Sequence, residues 1–308
     1  MDGKKVPKKQ HYVPKHYLRL FCDGKERLWV YNKRNGKIYQ SNVDDVGSSN
    51  HTYETSWVDA PNDERFLIPG HIETETLHDI EAAQAPVLRE VVRKLNLAIL
   101  PCASSLALVD EEREAVLAFF AITLCRNPLT MEAFRPSTTD AEPISELLPY
   151  KNLVEEMKLG DFVSFEEHGL KTMLTKFGEG SIPSLVLEGI RGMHLSFAVA
   201  EPGSGFVTST QPVFYQQSGE DDALSYLSMP LTPRFTACLS TGSRASAMAD
   251  MPCEGVEQLN FMYADPRHDQ VEAVVSANRG ILERLRRRAE EEKNLPLKPS
   301  KIIVRPRF

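Results

Sequence analysis

The sequence predicts an α+β fold, a single domain in which a central helical segment is flanked by an N-terminal β-hairpin and C-terminal antiparallel strands. Three observations carry that expectation. Aromatic and β-branched runs meet at an Asn-Gly pair near the start, apolar residues recur at helical spacing through the middle third, and short strand-like runs punctuated by Gly and Pro follow Ile182.

Taken in order, a basic lead (1–9) precedes the polar-aromatic stretch QHYVPKHYLRLF, from Gln10 to Phe21. Arg27 to Asn32 and Lys37 to Ser41 then read as a hairpin, because Asn35-Gly36 favours the φ > 0 geometry of a tight turn. Val43 to Gly70 has the Asp, Ser, Asn, Gly and Pro content of loops, interrupted only by His51-Thr52-Tyr53-Glu54 and Trp57. Ile72, Leu77, Ile80, Ala83, Val87 and Val91 fall near one helical face, with Pro86 expected to kink or split the element. Asp110 reads as the N-cap of a helix from Glu111 to Arg126 that is apolar nearly all round, so its place is the middle of the core. Asn127-Pro128 ends it.

Residues 143–178 offer two more helices, the later one opened by Ser164 with Glu167 three positions on. His194 to Ala200 and Phe206 to Thr210 flank Glu201-Pro202-Gly203-Ser204-Gly205 and read as a second hairpin, followed by short strands at Ser228 to Thr232 and Arg234 to Leu239. The last helix is expected to open at Asp269 and Glu272, with Val271, Val274, Val275, Asn278, Leu282 and Leu285 on its buried stripe and Arg286, Arg287 and Arg288 suiting its C-terminal dipole. Without internal repeats, residues 10–292 read as one domain and 293–308 as a basic tail.

The 308 residues include five scattered cysteines with no CxxC pair, so neither a disulfide framework nor a zinc knuckle is indicated. No apolar run reaches the roughly 18 to 20 residues of a bilayer span, and no signal-type stretch follows the start, so the expected location is cytoplasmic. The net charge of −7 is uneven: residues 1–37 hold eleven Lys/Arg against three acids, and residues 279–308 hold ten against four. Such ends either meet a phosphate backbone, making nucleic acid or a nucleotide a candidate partner, or fold back onto the acidic body. Walker A, GxGxxG, HExxH and DxDxDG patterns are missing, so several large cofactor-dependent classes lose support, and Ser209 lacks the GxSxG context of an elbow nucleophile.

Four motifs in order resemble the uncharacterised family DUF4238: Gln10-His11-Tyr12-Val13-Pro14 with Tyr17-Leu18 and Phe21, an acidic helix, Arg126-Asn127-Pro128, and Phe206-Val207-Thr208-Ser209-Thr210-Gln211-Pro212-Val213. Pro230-Leu231-Thr232-Pro233 and Leu259-Asn260 fit its C-terminal part. The resemblance runs from about Gln10 to about Ser276, with QHYVP and YLRLF as its most specific piece. The family usually carries Asp where this chain has Thr210, so any metal-ligating or acid/base role of that Asp is lost or replaced here. By association alone, the resemblance also carries an expectation of a role in defence against phage.

The residues themselves support two readings. In the first, the protein is a nuclease-like hydrolase of phosphodiester or nucleotide substrates: His11 is the acid/base, Arg126 grips phosphate in two-pronged fashion, Glu73 or Glu81 is a base or a ligand of Mg²⁺ or Mn²⁺, and Thr208, Ser209, Thr210 and Gln211 complete the substrate pocket. In the second, the same residues form a buried polar network in a non-catalytic binding or sensor module. The first needs His11 and Arg126 exposed in one cleft, the second needs them buried with partners, and convergence of His11, Arg126 and Glu73 or Glu81 beside Ser209 is expected of both. His16, five residues after His11, is not expected to pair with it.

Overall fold

The Asn-Gly hairpin forms as its chemistry dictates: Gly36 takes φ +68°, Asn35 Oδ1 accepts the Lys37 N–H, and Arg27–Asn32 (β2) pairs antiparallel with Ile38–Asn42 (β3). The computed structural model describes residues 7–56, 66–100, 106–133, 162–218, 223–242, 247–268, 271–294 and 305–306. Ahead of the hairpin, Lys9–His11 (β1) pairs with Ser48–Asn50 (β4), and Lys15–Leu18 (α1) turns the chain inward. The bend at β4 leaves no room for a side chain: a Cβ on Gly47, at φ +62°, would lie 2.6 Å from that of Val13. The Gly47 carbonyl meanwhile accepts both the Tyr12 and Val13 N–H groups, and so holds the N-terminal motif in place.

The helical middle begins with a π-helical turn, Ile72–Leu77, that runs into His78–Ala98 (α2). Pro86 neither ends nor splits α2, because it lies on the exposed side, where water can hydrate the carbonyl it leaves unpaired. The buried stripe is Gln84, Leu88, Val91 and Leu95 rather than one through Ala83 and Val87. The extra residue of a π turn rotates every later position, which a plain 3.6-residue period does not anticipate. Asp110–Cys125 (α3) is capped by Val109 and not Asp110, with Glu112 reaching back to the Val109 N–H. It is the core helix, with Val116, Leu117, Phe119, Phe120, Ala121 and Ile122 fully buried. Pro128–Ala133 (α4) follows. Of the two helices expected over 143–178, Phe162–Thr175 (α5) starts ahead of Ser164, so Ser164 is no cap, and residues 143–161 fall outside the described residues. Ile182–Arg191 (α6) packs on α3.

The C-terminal strands sort into two sheets. One has the order β12, β10, β5, β9, β8, β7, formed by Arg305–Pro306 (β12), Met248–Met251 (β10), His194–Ala200 (β5), Phe235–Ser240 (β9), Ala223–Pro230 (β8) and Phe214–Ser218 (β7). The other has the order β3, β2, β11, β6, where Thr208–Ser209 is β6 and Ala273–Ser276 is β11. The expected hairpin between 194–200 and 206–210 is therefore overturned. β5 is paired on both edges, antiparallel to β9 and parallel to β10, and the chain crosses to the second sheet through Phe206 and Val207, which bury in different clusters. Cys253–Ala264 (α7) supplies residues to both clusters, joining the two sheets.

The last helix also starts later than the sequence suggests. Val274 and Val275 belong to β11, buried between β2 and β6, and the helix is Arg279–Glu292 (α8), capped by Asn278 Oδ1 on the Gly280 N–H; Asp269 lies outside the described residues. A four-residue buried run has no period by which to tell strand from helix. Basic groups at both ends meet carboxylates: Lys15 contacts Asp44 at 2.6 Å and Lys9 contacts Asp45, while Arg279, Arg286 and Arg288 pair with Glu283, Glu290 and Glu292. Exposed pairs of this kind contribute only about 0–1 kcal/mol each.

Candidate functional site

Arg126 caps the C-terminus of α3, which plants its side chain in the core at 1 % exposure. Each nitrogen of its guanidinium is bonded: Nη1 donates to Glu81 Oε1 at 2.7 Å, Nε to the Tyr53 hydroxyl at 3.3 Å, and Nη2 to the His11 carbonyl oxygen. The Tyr53 hydroxyl carries one proton, shared between the His11 and Arg126 carbonyls at 3.2 and 3.3 Å. His11 joins through its backbone. Its imidazole, 5 % exposed, bonds the Val43 carbonyl through Nε2 at 3.1 Å, and burial, helped by Lys15, lowers its pKa. The ring is thus neutral near pH 7 and donates to that carbonyl.

Glu81 and Glu73 both border this cluster, and their carboxyl groups are shifted in opposite directions. Burial alone would raise Glu81, but the His16 ring 3.8 Å away and the Arg126 guanidinium bonded to it outweigh burial and bring its pKa down to about 2. Glu73, on the π turn, is pushed up to about 7 by burial, against the pull of Arg126, with Glu81 adding repulsion; its Oε2 is buried without a hydrogen-bond partner. Glu75 and Asp79, on the same segment, are exposed. The four residues His11, Glu73, Glu81 and Arg126 therefore gather at one place, at the junction of β1, the π turn, α2 and α3.

The 208–211 segment is tied to the residue that follows Arg126, Asn127, whose Nδ2 donates to the Thr210 carbonyl at 2.9 Å. Its hydroxyls serve the chain itself. Tyr17 donates to the Pro230 carbonyl and accepts from Thr208 Oγ1, both at 2.7 Å. Ser209 Oγ donates to the Gln211 carbonyl at 2.6 Å and accepts the Gln211 N–H at 3.1 Å, closing a local turn. Thr210 Oγ1 accepts the N–H groups of Glu272 and Ala273, each at 3.1 Å. Only Gln211 is unmatched: 6 % exposed, it has no partner for its Oε1.

A family profile described as "Protein of unknown function (DUF4238)" matches residues 9–278. The chain belongs to the DUF4238 family. No curated protein and no solved structure matches it. The place where DUF4238 proteins usually carry Asp is Thr210, and here its hydroxyl accepts two backbone N–H groups, a task for which a carboxylate is equally equipped. Among the described residues, no group of three or more His, Cys, Asp or Glu is placed to hold a metal ion.

Sequence reasoning passed over Tyr53, Glu54, Tyr17 and Asn127. Glu54 takes the Gln10 amide at 2.6 Å and the Gly70 N–H, while Gln10 Oε1 accepts the Tyr53 N–H at 2.8 Å, so the QH of the opening motif locks onto the TyrGlu pair. The signal was the aromatic break His51-Thr52-Tyr53-Glu54 in an otherwise polar loop.

The Glu73 shift makes stability depend on pH with a definite sign. Between its ordinary value near 4.5 and about 7, the folded chain keeps a proton that the unfolded chain has lost, so this contribution is full below 4.5 and disappears as pH rises to about 7. The total is roughly 3 kcal/mol. His168, lowered to about 4 by burial and by His71, has the opposite slope from 6.5 down to 4 and masks part of it. Glu73→Gln is therefore expected to stabilise the protein more at pH 8 than at pH 4.5, read from urea midpoints. An equal difference at both pH values would show that Glu73 titrates normally.

Proposed function

We propose that the protein is a non-catalytic binding or sensor module, in which the cluster around Arg126 fixes the N-terminal segment to the body. One observation carries this reading: Arg126 is 1 % exposed with each of its three guanidinium nitrogens bonded inside the chain, which keeps it from the solvent side where a phosphate would arrive. The neutral His11 ring, spent on the Val43 carbonyl, supports it. Purified protein incubated with DNA, RNA and nucleotides, with and without Mg²⁺ or Mn²⁺, is expected to give no hydrolysis products.

A second reading, a nuclease-like hydrolase acting on phosphodiesters or nucleotides, is favoured by Glu73 alone. A half-buried carboxyl with a pKa near 7 and an unpartnered oxygen has the poise of a general acid/base, with His11 and Arg126 acting to position it. Turnover in that assay, abolished by Glu73→Gln with the fold intact, would replace the first reading by the second.

A further inference from the structure

A pocket of about 250 Å³ lies where the 211–215 segment meets the end of α7, lined by Gln211, Phe214, Tyr215, Met262, Arg267 and His268 among others. Its walls are built and held. The Ser209 turn fixes the Gln211 backbone, and Lys33 Nζ donates to the Asp265 and His268 carbonyls at 2.7 and 2.6 Å, pinning the opposite wall. Phe214 and His268 face one another with ring centroids 6.1 Å apart. His268 Nδ1 donates to the Met262 carbonyl at 2.8 Å, so in this tautomer Nε2 is the ring's acceptor.

The Tyr263 hydroxyl is committed to the Pro212 carbonyl, and Arg267 is neutralised by Asp265 through contacts at 2.7 and 2.5 Å. That leaves aromatic faces, one imidazole acceptor and the Gln211 carboxamide, buried with its oxygen unsatisfied. A carboxamide offers a donor and an acceptor side by side, and a half-turn of its end brings either to the pocket. An amide oxygen buried without a partner is unfavourable, and a complementary ligand would relieve that.

We propose that this pocket binds an uncharged heteroaromatic ring with adjacent hydrogen-bond donor and acceptor, the chemistry of a nucleobase. Aromatic faces stack on any base, and a glutamine amide pairs with an adenine edge in two-pronged fashion. The volume lies below the about 300–1,000 Å³ of drug-sized sites, so one ring system enters and the rest of a nucleotide stays outside. The neutralised arginine makes the phosphate dispensable. The proposal rests on the binding-module reading in one respect only: it supplies that module with its ligand.

The test uses the full chain with adenosine, adenosine monophosphate, uridine and a single-stranded adenine oligonucleotide, followed by saturation-transfer NMR and calorimetry. Adenosine is expected to bind at millimolar concentrations or better, with monophosphate no tighter than nucleoside. Tighter binding of the oligonucleotide would identify a nucleic acid as the source of the base. Gln211→Met is expected to weaken binding about tenfold while leaving the melting temperature unchanged or raised, because the amide has no partner in the protein. No binding of any of the four, binding undiminished in Gln211→Met, or a lowered melting temperature in that variant would each overturn the assignment. Failure to bind without hydrolysis leaves the binding-module reading standing, whereas hydrolysis overturns that reading and leaves the pocket to be judged by Gln211→Met.

Discussion

Arg126→Ala is expected to destabilise the protein by about 3–5 kcal/mol, a large share of the roughly 5–15 kcal/mol that holds a domain together. The loss is more than that of the pair itself. Removing the guanidinium takes a donor from the Glu81 carboxylate, 27 % exposed, and from the Tyr53 hydroxyl, and leaves the His11 carbonyl with the Tyr53 hydroxyl alone. Glu81 then loses one of the interactions that keep it ionised, and the junction of β1 with α3 loosens. The double variant Arg126→Met, Glu81→Gln should recover part of the loss, since removing both charges spares the penalty of one left unpaired. Urea denaturation at pH 7 measures both; a loss under about 1 kcal/mol for Arg126→Ala would mean that the cluster contributes little to holding the chain together.

Phe120→Asp is expected to unfold the chain. The ring is fully buried in α3, with Phe119 and Ile122 equally buried beside it, and an unpaired carboxylate there costs several kcal/mol beyond the lost packing. Phe120→Leu, which keeps an apolar side chain, should remain folded with a lower melting temperature. An unchanged melting temperature for the aspartate variant would remove α3 from the core.

The parts of this fold that were legible in the sequence are those governed by local chemistry. Asn35-Gly36 dictates a turn wherever it is placed, and α3 is apolar on so many sides that only a core position suits it. What was not legible depends on partners far along the chain. Nothing in HLSFAVA says that its edges will be taken by β9 and β10 rather than by the next strand, and AVVS reads equally as the start of a helix. The π turn is a third case, because one inserted residue displaces the buried stripe of α2 without altering its composition.

The same division runs through the polar cluster. That His11, Glu73, Glu81 and Arg126 share a place follows from polar groups standing at the ends of apolar segments, a cost that evolution rarely accepts without a reason. Which atoms meet was beyond sequence reasoning: His11 takes part by its carbonyl oxygen and not its ring, and a tyrosine from a loop supplies the hub. Gln211 illustrates the limit from the other side, since its turn is locally determined while the pocket it lines is completed by residues some fifty positions later.

The position of β11 between β2 and β6 sets a timetable for synthesis. The hairpin leaves the ribosome well before the neighbour that Val30 and Tyr31 require, Val274 and Val275, which is made about 240 residues later. At roughly 5–20 residues per second, that interval is about 12 to 50 seconds. Throughout it, β2 presents an unpaired edge of alternating aromatic and β-branched residues, the kind of edge that pairs with whatever strand is nearest. The nascent chain therefore has reason to depend on a chaperone, or on slow growth at low temperature, until β11 is in place.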